Sequence, residues 1–291
     1  MIVYMFHYVK TDFNYYHYDL NLFEETIKYL SKKFKIISLK EYDNFNKNKC
    51  EIKDKCVMLT FDDGTLDHYK NVYPILKKYG CSGLFFIPSS VFNKKVLDIQ
   101  IIHQLLLKID AKILLKELLI ELKKNNINFE NNCEENSEAV FKQLMQYKLK
   151  YEYRKKMLAY FINKYNISTC VEDYYMNIEQ LKEMKKHNMF FGIHTDTHPR
   201  LDILTKDEQL KEIKNNKKYL LENNLIEKSI ISIAYPFGKY NEETLDILKK
   251  EHIKYGFRIG GKESNNSLLI NRIDCKNLSE EVNEKIYTNR K

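Results

Sequence analysis

The feature that most constrains this chain is the alternation of short apolar runs with segments of helical period. Apolar runs at Ile2–Phe6, Lys35–Ser38, Val57–Phe61, Gly83–Ile87, Met189–Ile193, Ile230–Ala234, Tyr255–Ile259 and Leu268–Ile270 read as strands. The stretches between several of them are amphipathic helices, and this is the pattern of βα units with a parallel sheet. Helix starts are written explicitly. Thr205 with Glu208, Asn177 with Gln180 and Ser38 with Glu41 are spaced as capping boxes, in which the first side chain serves an orphan amide of the first turn. Gly80 falls where a helix C-terminus needs a left-handed residue.

Composition narrows the class. Of 291 residues, 44% are hydrophobic and 30% charged, which fits a globular chain and excludes disorder. No apolar run approaches the ~20 residues of a membrane helix. The Met1–His7 segment lacks the basic region of an export signal, so the expectation is a cytoplasmic protein without a transmembrane segment. The net charge of +8 does not point to nucleic acid, because only five of the 48 basic residues are arginine (Arg154, Arg200, Arg258, Arg272 and Arg290) and the lysines are dispersed. The cysteines at 50, 56, 81, 133, 170 and 275 form no CxxC pair and read as reduced thiols. Residues 93–176 hold neither glycine nor proline and read as an insertion of three or four helices within a single domain, 1–291.

Polar residues gather at the C-terminal ends of separate apolar runs. His7 follows Ile2–Phe6, Asp62 and Asp63 follow Val57–Phe61, His194 follows Met189–Ile193, and Pro236 and Phe237 follow Ile230–Ala234. That edge is where parallel α/β folds build their sites. Adjacent carboxylates repel, so Asp62-Asp63 reads either as a solvated turn or as a metal ligand next to a base. His194 and His198 are spaced to converge on one ion, with Pro199 favouring a loop over a helix. Two imidazoles and one carboxylate suit Zn²⁺ or another divalent ion with open positions for water. The remaining histidines, His68 among them, read as surface or core residues. No GxSxG exists to support a serine hydrolase.

Together these residues resemble the polysaccharide deacetylases (the NodB-homology enzymes of carbohydrate esterase family 4). Thr60–Gly64 matches the TFDDG motif, His194–Pro199 the H-[ST]-x-x-H-P motif, and Tyr235–Gly238 part of a third motif. The resemblance spans about residues 1–92 and 177–291. It implies a distorted (β/α)7-type barrel and metal-dependent removal of acetyl groups from sugars. By position, Asp63, His194 and His198 would hold one divalent metal, Zn²⁺ foremost, with Co²⁺, Ni²⁺ or Mn²⁺ as alternatives. Asp62 would be the base, and Phe237, with Pro236 and Tyr235, would form the wall that binds the oxyanion. Two departures stand out. The family arginine that faces the base is replaced by Ala234, and no histidine follows His252 to act as acid. The chain is similar to the circularly permuted poly-N-acetylglucosamine deacetylase branch, in which the acid comes from an N-terminal strand, and His7 fits that place. Arg272 is the candidate to orient Asp62.

The implied substrate is an N-acetylated sugar, a nucleotide sugar or a lipid-linked saccharide serving surface-glycan synthesis. The alternatives are hydrolysis of another linear or cyclic amide on the same fold, and an inactive glycan-binding homologue, the latter drawn from Ala234.

Overall fold

Strand register decides where the chemistry ends up. The computed structural model describes residues 1–11, 17–48, 56–127, 136–262 and 264–275, so Cys50, Cys133, Arg290 and most of the polar stretch after Asn125 lie outside them. The strands are β1 (Ile2–Phe6), β2 (Tyr8–Lys10), β3 (His17–Asp19), β4 (Lys35–Ile36) and β5 (Cys56–Phe61). They continue with β6 (Gly83–Ile87), β7 (Met189–Ile193), β8 (Ser232–Ala234), β9 (Tyr255–Ile259) and β10 (Ile270–Asp274). Seven of them close a parallel ring in the order β1, β10, β9, β8, β7, β6, β5 and back to β1. The short β4 pairs beside the start of β5, and β2 pairs with β3 apart from the ring. This is the expected (β/α)7 barrel.

The helices of this unit are α1 (Leu20–Lys33), α2 (Leu39–Lys47) and α3 (Tyr73–Lys78), followed after a second unit by three more. That second unit, Lys94–Asp173, contains α4 (Asp98–Lys108), α5 (Ala111–Lys124), α6 (Ser137–Gln143) and α7 (Tyr151–Tyr165). The chain then adds α8 (Ile178–Lys186), α9 (Lys206–Glu222) and α10 (Glu242–Lys250) to the barrel unit. All three expected capping boxes are present, at α2, α8 and α9. Gly80, at φ +63°, ends α3 with bonds from Gly80 N–H to Lys77 O and from Cys81 N–H to Leu76 O.

Some strand boundaries move, each for a local reason. The expected Lys35–Ser38 run stops at Ile36 because Ser38 caps α2. The Ile230–Ala234 run begins at Ser232, since Lys228–Ile230 closes a 3-10 turn. The expected Leu268–Ile270 strand instead runs Ile270–Asp274. A turn from Leu269 N–H to Asn266 O occupies the backbone there, and the Leu268 carbonyl accepts from the Tyr235 hydroxyl at 2.7 Å.

Successive residues in a strand face opposite sides, so parity sorts the barrel. One parity (Val3, Met58, Leu84, Phe86, Ala234 and Phe257) forms one buried cluster with Tyr255. The other (Tyr4, Phe6, Leu59, Phe61, Phe85, Ile193 and Ile233) joins the larger cluster with α1, α3, α8 and α9. Gly192 belongs to the first set, and a Cβ there would stand 2.6 Å from the Phe86 ring and the Ser232 hydroxyl. The first parity, extended past the strand ends, is that of His7, Asp62 and His194. In the Lys94–Asp173 unit, a separate core gathers Ile102, Leu105, Leu118, Phe141, Leu144 and Phe161. There Asp98 of α4 pairs with Arg154 and Lys155 of α7 at 3.1 and 2.7 Å.

Candidate active site

Phe6 is in register with Phe61, and Asp62 N–H donates to the Phe6 carbonyl at 3.0 Å. His7 and Asp62 are therefore neighbours at the mouth of the barrel. Ile193 is in register with Ile87 on one side and Ile233 on the other, which carries His194 to the same edge. Asp62, Asp63, His194 and His198 are all buried. His7 is half-buried.

Asp63 leaves strand parity through a left-handed backbone, φ +73°, that turns its carboxylate towards the histidines. Its Oδ1 lies 3.3 Å from His194 Nε2 and 3.2 Å from His198 Nε2. That oxygen has no hydrogen-bond partner among the described residues. One ligand atom from each of the three lies within 4.8 Å of the others. His194 Nδ1 donates to the Ala234 carbonyl at 2.9 Å, which leaves the Nε2 lone pair free to face Asp63. The donor set of two imidazole nitrogens and one carboxylate oxygen, with an orphaned buried oxygen at its centre, fits a divalent cation.

The loop that carries the histidines is held from several sides. His198 is at φ +60° and Thr195 at φ +61°. The Thr195 hydroxyl donates to the His194 carbonyl and accepts from His198 N–H, at 2.6 and 3.1 Å. Glu212 of α9 accepts from the N–H groups of Asp196 and Thr197. One turn on, Asn216 accepts from His194 N–H at 2.7 Å and donates to the Ile87 carbonyl at 3.0 Å. Sequence reasoning missed Glu212 and Asn216, because polar residues on an amphipathic helix look alike whether they face solvent or a loop.

Arg272 of β10 meets Asp62 with both prongs, Nη1 to Oδ1 and Nη2 to Oδ2, each at 2.7 Å. Both side chains are almost fully buried. Burial opposes the charge on Asp62, and the Arg272 guanidinium outweighs it, holding the carboxyl below the usual carboxylate range. Burial likewise opposes the charge on Asp63, and His198 and His194 beside it bring it well below that range. Burial lowers His198, whereas at His194 burial is outweighed by Asp63 and Asp62 and the imidazole is raised. The position expected to carry an arginine, Ala234, is a buried small residue whose carbonyl serves His194.

The Tyr235–Gly238 segment reaches the same edge. Phe237 is left-handed, φ +57°, in the turn Pro236–Gly238, and its ring meets the edge of His198 with centroids 4.8 Å apart. The Tyr235 hydroxyl is turned to the Leu268 carbonyl and its ring packs against Tyr240. Tyr235 therefore braces the wall from the core side.

A parallel α/β barrel thus carries a metal-fitting trio beside an arginine-paired carboxylate. Residues 49–256 match the polysaccharide deacetylase family, and the chain belongs to it. Among curated relatives, the poly-β-1,6-N-acetyl-D-glucosamine N-deacetylase of Staphylococcus aureus is 24% identical over 82% of this chain and 60% of its own length. The protein YxkH of Bacillus subtilis is 25% identical over 70% of this chain and 44% of its own length. The chain thus spans about half of these relatives. The fold is shared with the deacetylase PplD of Streptococcus pyogenes in complex with acetate (22% identity, TM-score 0.61, 94% and 91% of the two chains). It is shared equally with IcaB of Ammonifex degensii (17% identity, TM-score 0.61, 97% and 96%).

Proposed function

We propose that this protein is a metal-dependent N-deacetylase acting on an N-acetylated sugar. The observation that carries the reading is the Asp63, His194 and His198 donor set, one residue away from a carboxylate that Arg272 keeps ionised. A divalent ion, Zn²⁺ foremost or otherwise Co²⁺, Ni²⁺ or Mn²⁺, held by these three residues would supply Lewis acidity and bring a water towards a pKa of about 7. Asp62 acts as the base that takes a proton from the attacking water. Arg272 aims the Asp62 carboxylate and holds it in the charged form the step needs. The backbone N–H of Phe237, presented by the Pro236 turn, donates to the oxyanion that develops on the acetyl carbonyl. His7, beside Asp62 at the barrel mouth, gives a proton to the departing amine.

The domain reading that accompanies this is one deacetylase domain interrupted by the helical unit. The named substrate of the S. aureus relative supports a glucosamine-based saccharide. We assign the substrate to a cytoplasmic intermediate of surface-glycan synthesis, nucleotide-linked or lipid-linked. Among the described residues Cys56, Cys81 and Cys170 are in no disulfide, as reduced thiols would be. Among the described residues no helix is long and apolar enough to cross a membrane. The alternative of an inactive glycan-binding homologue draws on Ala234. The Arg272–Asp62 pair gives the base its arginine by another route and favours the active reading.

The test is acetate release by the zinc-loaded protein from an N-acetylglucosamine nucleotide sugar, a lipid-linked analogue and β-1,6-linked oligomers, with ring opening of a cyclic ureide followed alongside. Acetate from a glucosamine compound that stops on chelation and returns with metal supports the reading. Hydrolysis of the ureide alone, or binding of sugars without acetate release at any metal loading, overturns it.

A further inference from the structure

The segment that carries His7 is gripped by residues that follow the Asp62-Asp63 pair. Beyond β1 the backbone of residues 7–9 meets the turn Asp67–Val72, whose last five residues, His68–Val72, are wound as a π-helix. His68 Nε2 bonds the His7 carbonyl at 2.5 Å. Val9 N–H donates to Asp67 Oδ2 at 2.7 Å, and Asn71 Nδ2 donates to the Val9 carbonyl at 2.7 Å. Three side chains of one turn thus hold both backbone groups of Val9 and the carbonyl of His7.

The middle member is fully buried. The His68 ring sits 5.6 Å from the Phe61 ring and 5.7 Å from the Phe85 ring, and its Nδ1 has no hydrogen-bond partner among the described residues. A carbonyl only accepts, so Nε2 carries the proton and the tautomer is set. Burying a histidine with one ring nitrogen unserved opposes folding, and nothing in packing alone calls for an imidazole among phenylalanines. Wide π-turns concentrate where a helix is bent to serve a site. Here the wide turn brings Asp67, His68 and Asn71 to one strand end.

We propose that Asp67, His68 and Asn71 are positioning residues for His7, forming a clamp that fixes the acid relative to the base. The inference rests on the proposed role of His7. Asp62 and the clamp belong to one continuous stretch, residues 62–72, so the base and the groups that hold the acid's backbone are tied together along the chain. That matters because proton donation tolerates little misplacement, and an error of about 1 Å costs on the order of a hundredfold in rate.

Leaving-group chemistry separates this role from a merely structural one. A sugar amine must be protonated as it departs, whereas the phenolate of an activated aryl acetate leaves unaided. The experiment compares amide turnover on an N-acetylglucosamine oligomer with ester turnover on 4-nitrophenyl acetate, for Asp67→Ala, Asn71→Ala, His68→Gln and His7→Ala. The amide-to-ester ratio is expected to fall about tenfold to a hundredfold in Asp67→Ala and Asn71→Ala, towards the value for His7→Ala. Asp67→Asn and His68→Gln, which keep an acceptor and a donor, recover most of it. In parallel, the His7 ring resonances, assigned by their loss in His7→Ala, broaden or split in Asn71→Ala. An unchanged ratio in Asp67→Ala and Asn71→Ala, amide and ester rates that fall in step in these two, or undisturbed His7 resonances in Asn71→Ala overturn the proposal. If His7→Ala itself leaves the ratio unchanged, the acid assignment has failed and the clamp fails with it. If His7→Ala lowers the ratio and the clamp variants do not, only the clamp is wrong. If the wild type releases no acetate from any amide, the resonances alone decide, and a rigid His7 in Asn71→Ala rejects the clamp.

Discussion

Four residues at the site share a backbone that L-amino acids avoid: Asp63, Thr195, His198 and Phe237 all have positive φ. For β-branched Thr195 this is a real strain of about 1–3 kcal/mol, sustained because its hydroxyl closes the loop between His194 and His198. Strain of this kind is retained where it aims a group, and here it aims ligands. Replacing His194 or His198 by Ala is expected to lower zinc affinity at least about tenfold, measured by competition with a chromogenic chelator. Full zinc stoichiometry with unchanged affinity in both variants would refute the trio. At Asp62 the expectation differs. Asp62→Asn keeps the metal and loses at least about a hundredfold in turnover. Arg272→Met removes the partner of a buried carboxylate, so stability falls by about 3–5 kcal/mol in denaturant titration. The sign with pH follows from the native Asp62 lying below the ordinary carboxylate range. Without Arg272 the largest influence opposing burial is gone and the carboxyl rises, so the acidic limb of the pH–rate profile moves to higher pH. A limb that stays in place would show that Asp62 is not the base.

Between elements, the same logic of buried carboxylates ties α2 to β9 at the opposite end of the barrel. Asp43 accepts from Lys47 of its own helix at 2.6 Å, from the Tyr255 hydroxyl at 2.8 Å and from Lys254. Burial works against its charge, and Lys254 and Lys47 outweigh it, so the carboxyl lies below its ordinary value. A depressed carboxyl stabilises the fold above its unfolded value of about 3.9 and ceases to do so as pH falls through the native value. Asp43→Asn is therefore expected to cost about 1–3 kcal/mol at pH 7. The gap to wild type should close below about pH 4, and a gap independent of pH would reject the account. How much of the architecture the sequence disclosed depends on whether a pattern was local. Strand ends and capping boxes are local, which is why β1, β6, β7 and β9 and the starts of α2, α8 and α9 were legible. Asp62, Asp63, His194 and His198 were visible because motif and strand end coincide. Strands β2 and β3, of three residues each, are too short to show a period. The start of β10 was hidden because Leu268 is apolar for a different reason, as part of the turn that Tyr235 holds. The Arg272–Asp62 contact spans 210 positions, and only the closed barrel reveals its geometry.

For the whole chain, the two compact units have separate cores, and this carries a prediction of its own. Among the described residues, the sixteen buried residues of the helical unit's core all lie between Ile101 and Ile167. A fragment of residues 94–173 is expected to fold alone, with a helical circular dichroism spectrum and a cooperative melt. Its size allows a stability of roughly 3–5 kcal/mol at most. A fragment that stays unfolded at 10 °C would make the unit dependent on the barrel.

The pairing of first and last barrel strands has a consequence for the order of events at the ribosome. β1 emerges early and can pair with β5, but the ring closes only when β10 arrives to lie against β1 and β9. β10 brings Arg272 with it. Before that moment Asp62 lacks the guanidinium that aims its carboxylate. A nascent or truncated chain lacking the last barrel strand can thus present both metal-ligand motifs and still have no competent base. The arrival of β10 then acts as the switch that arms the site.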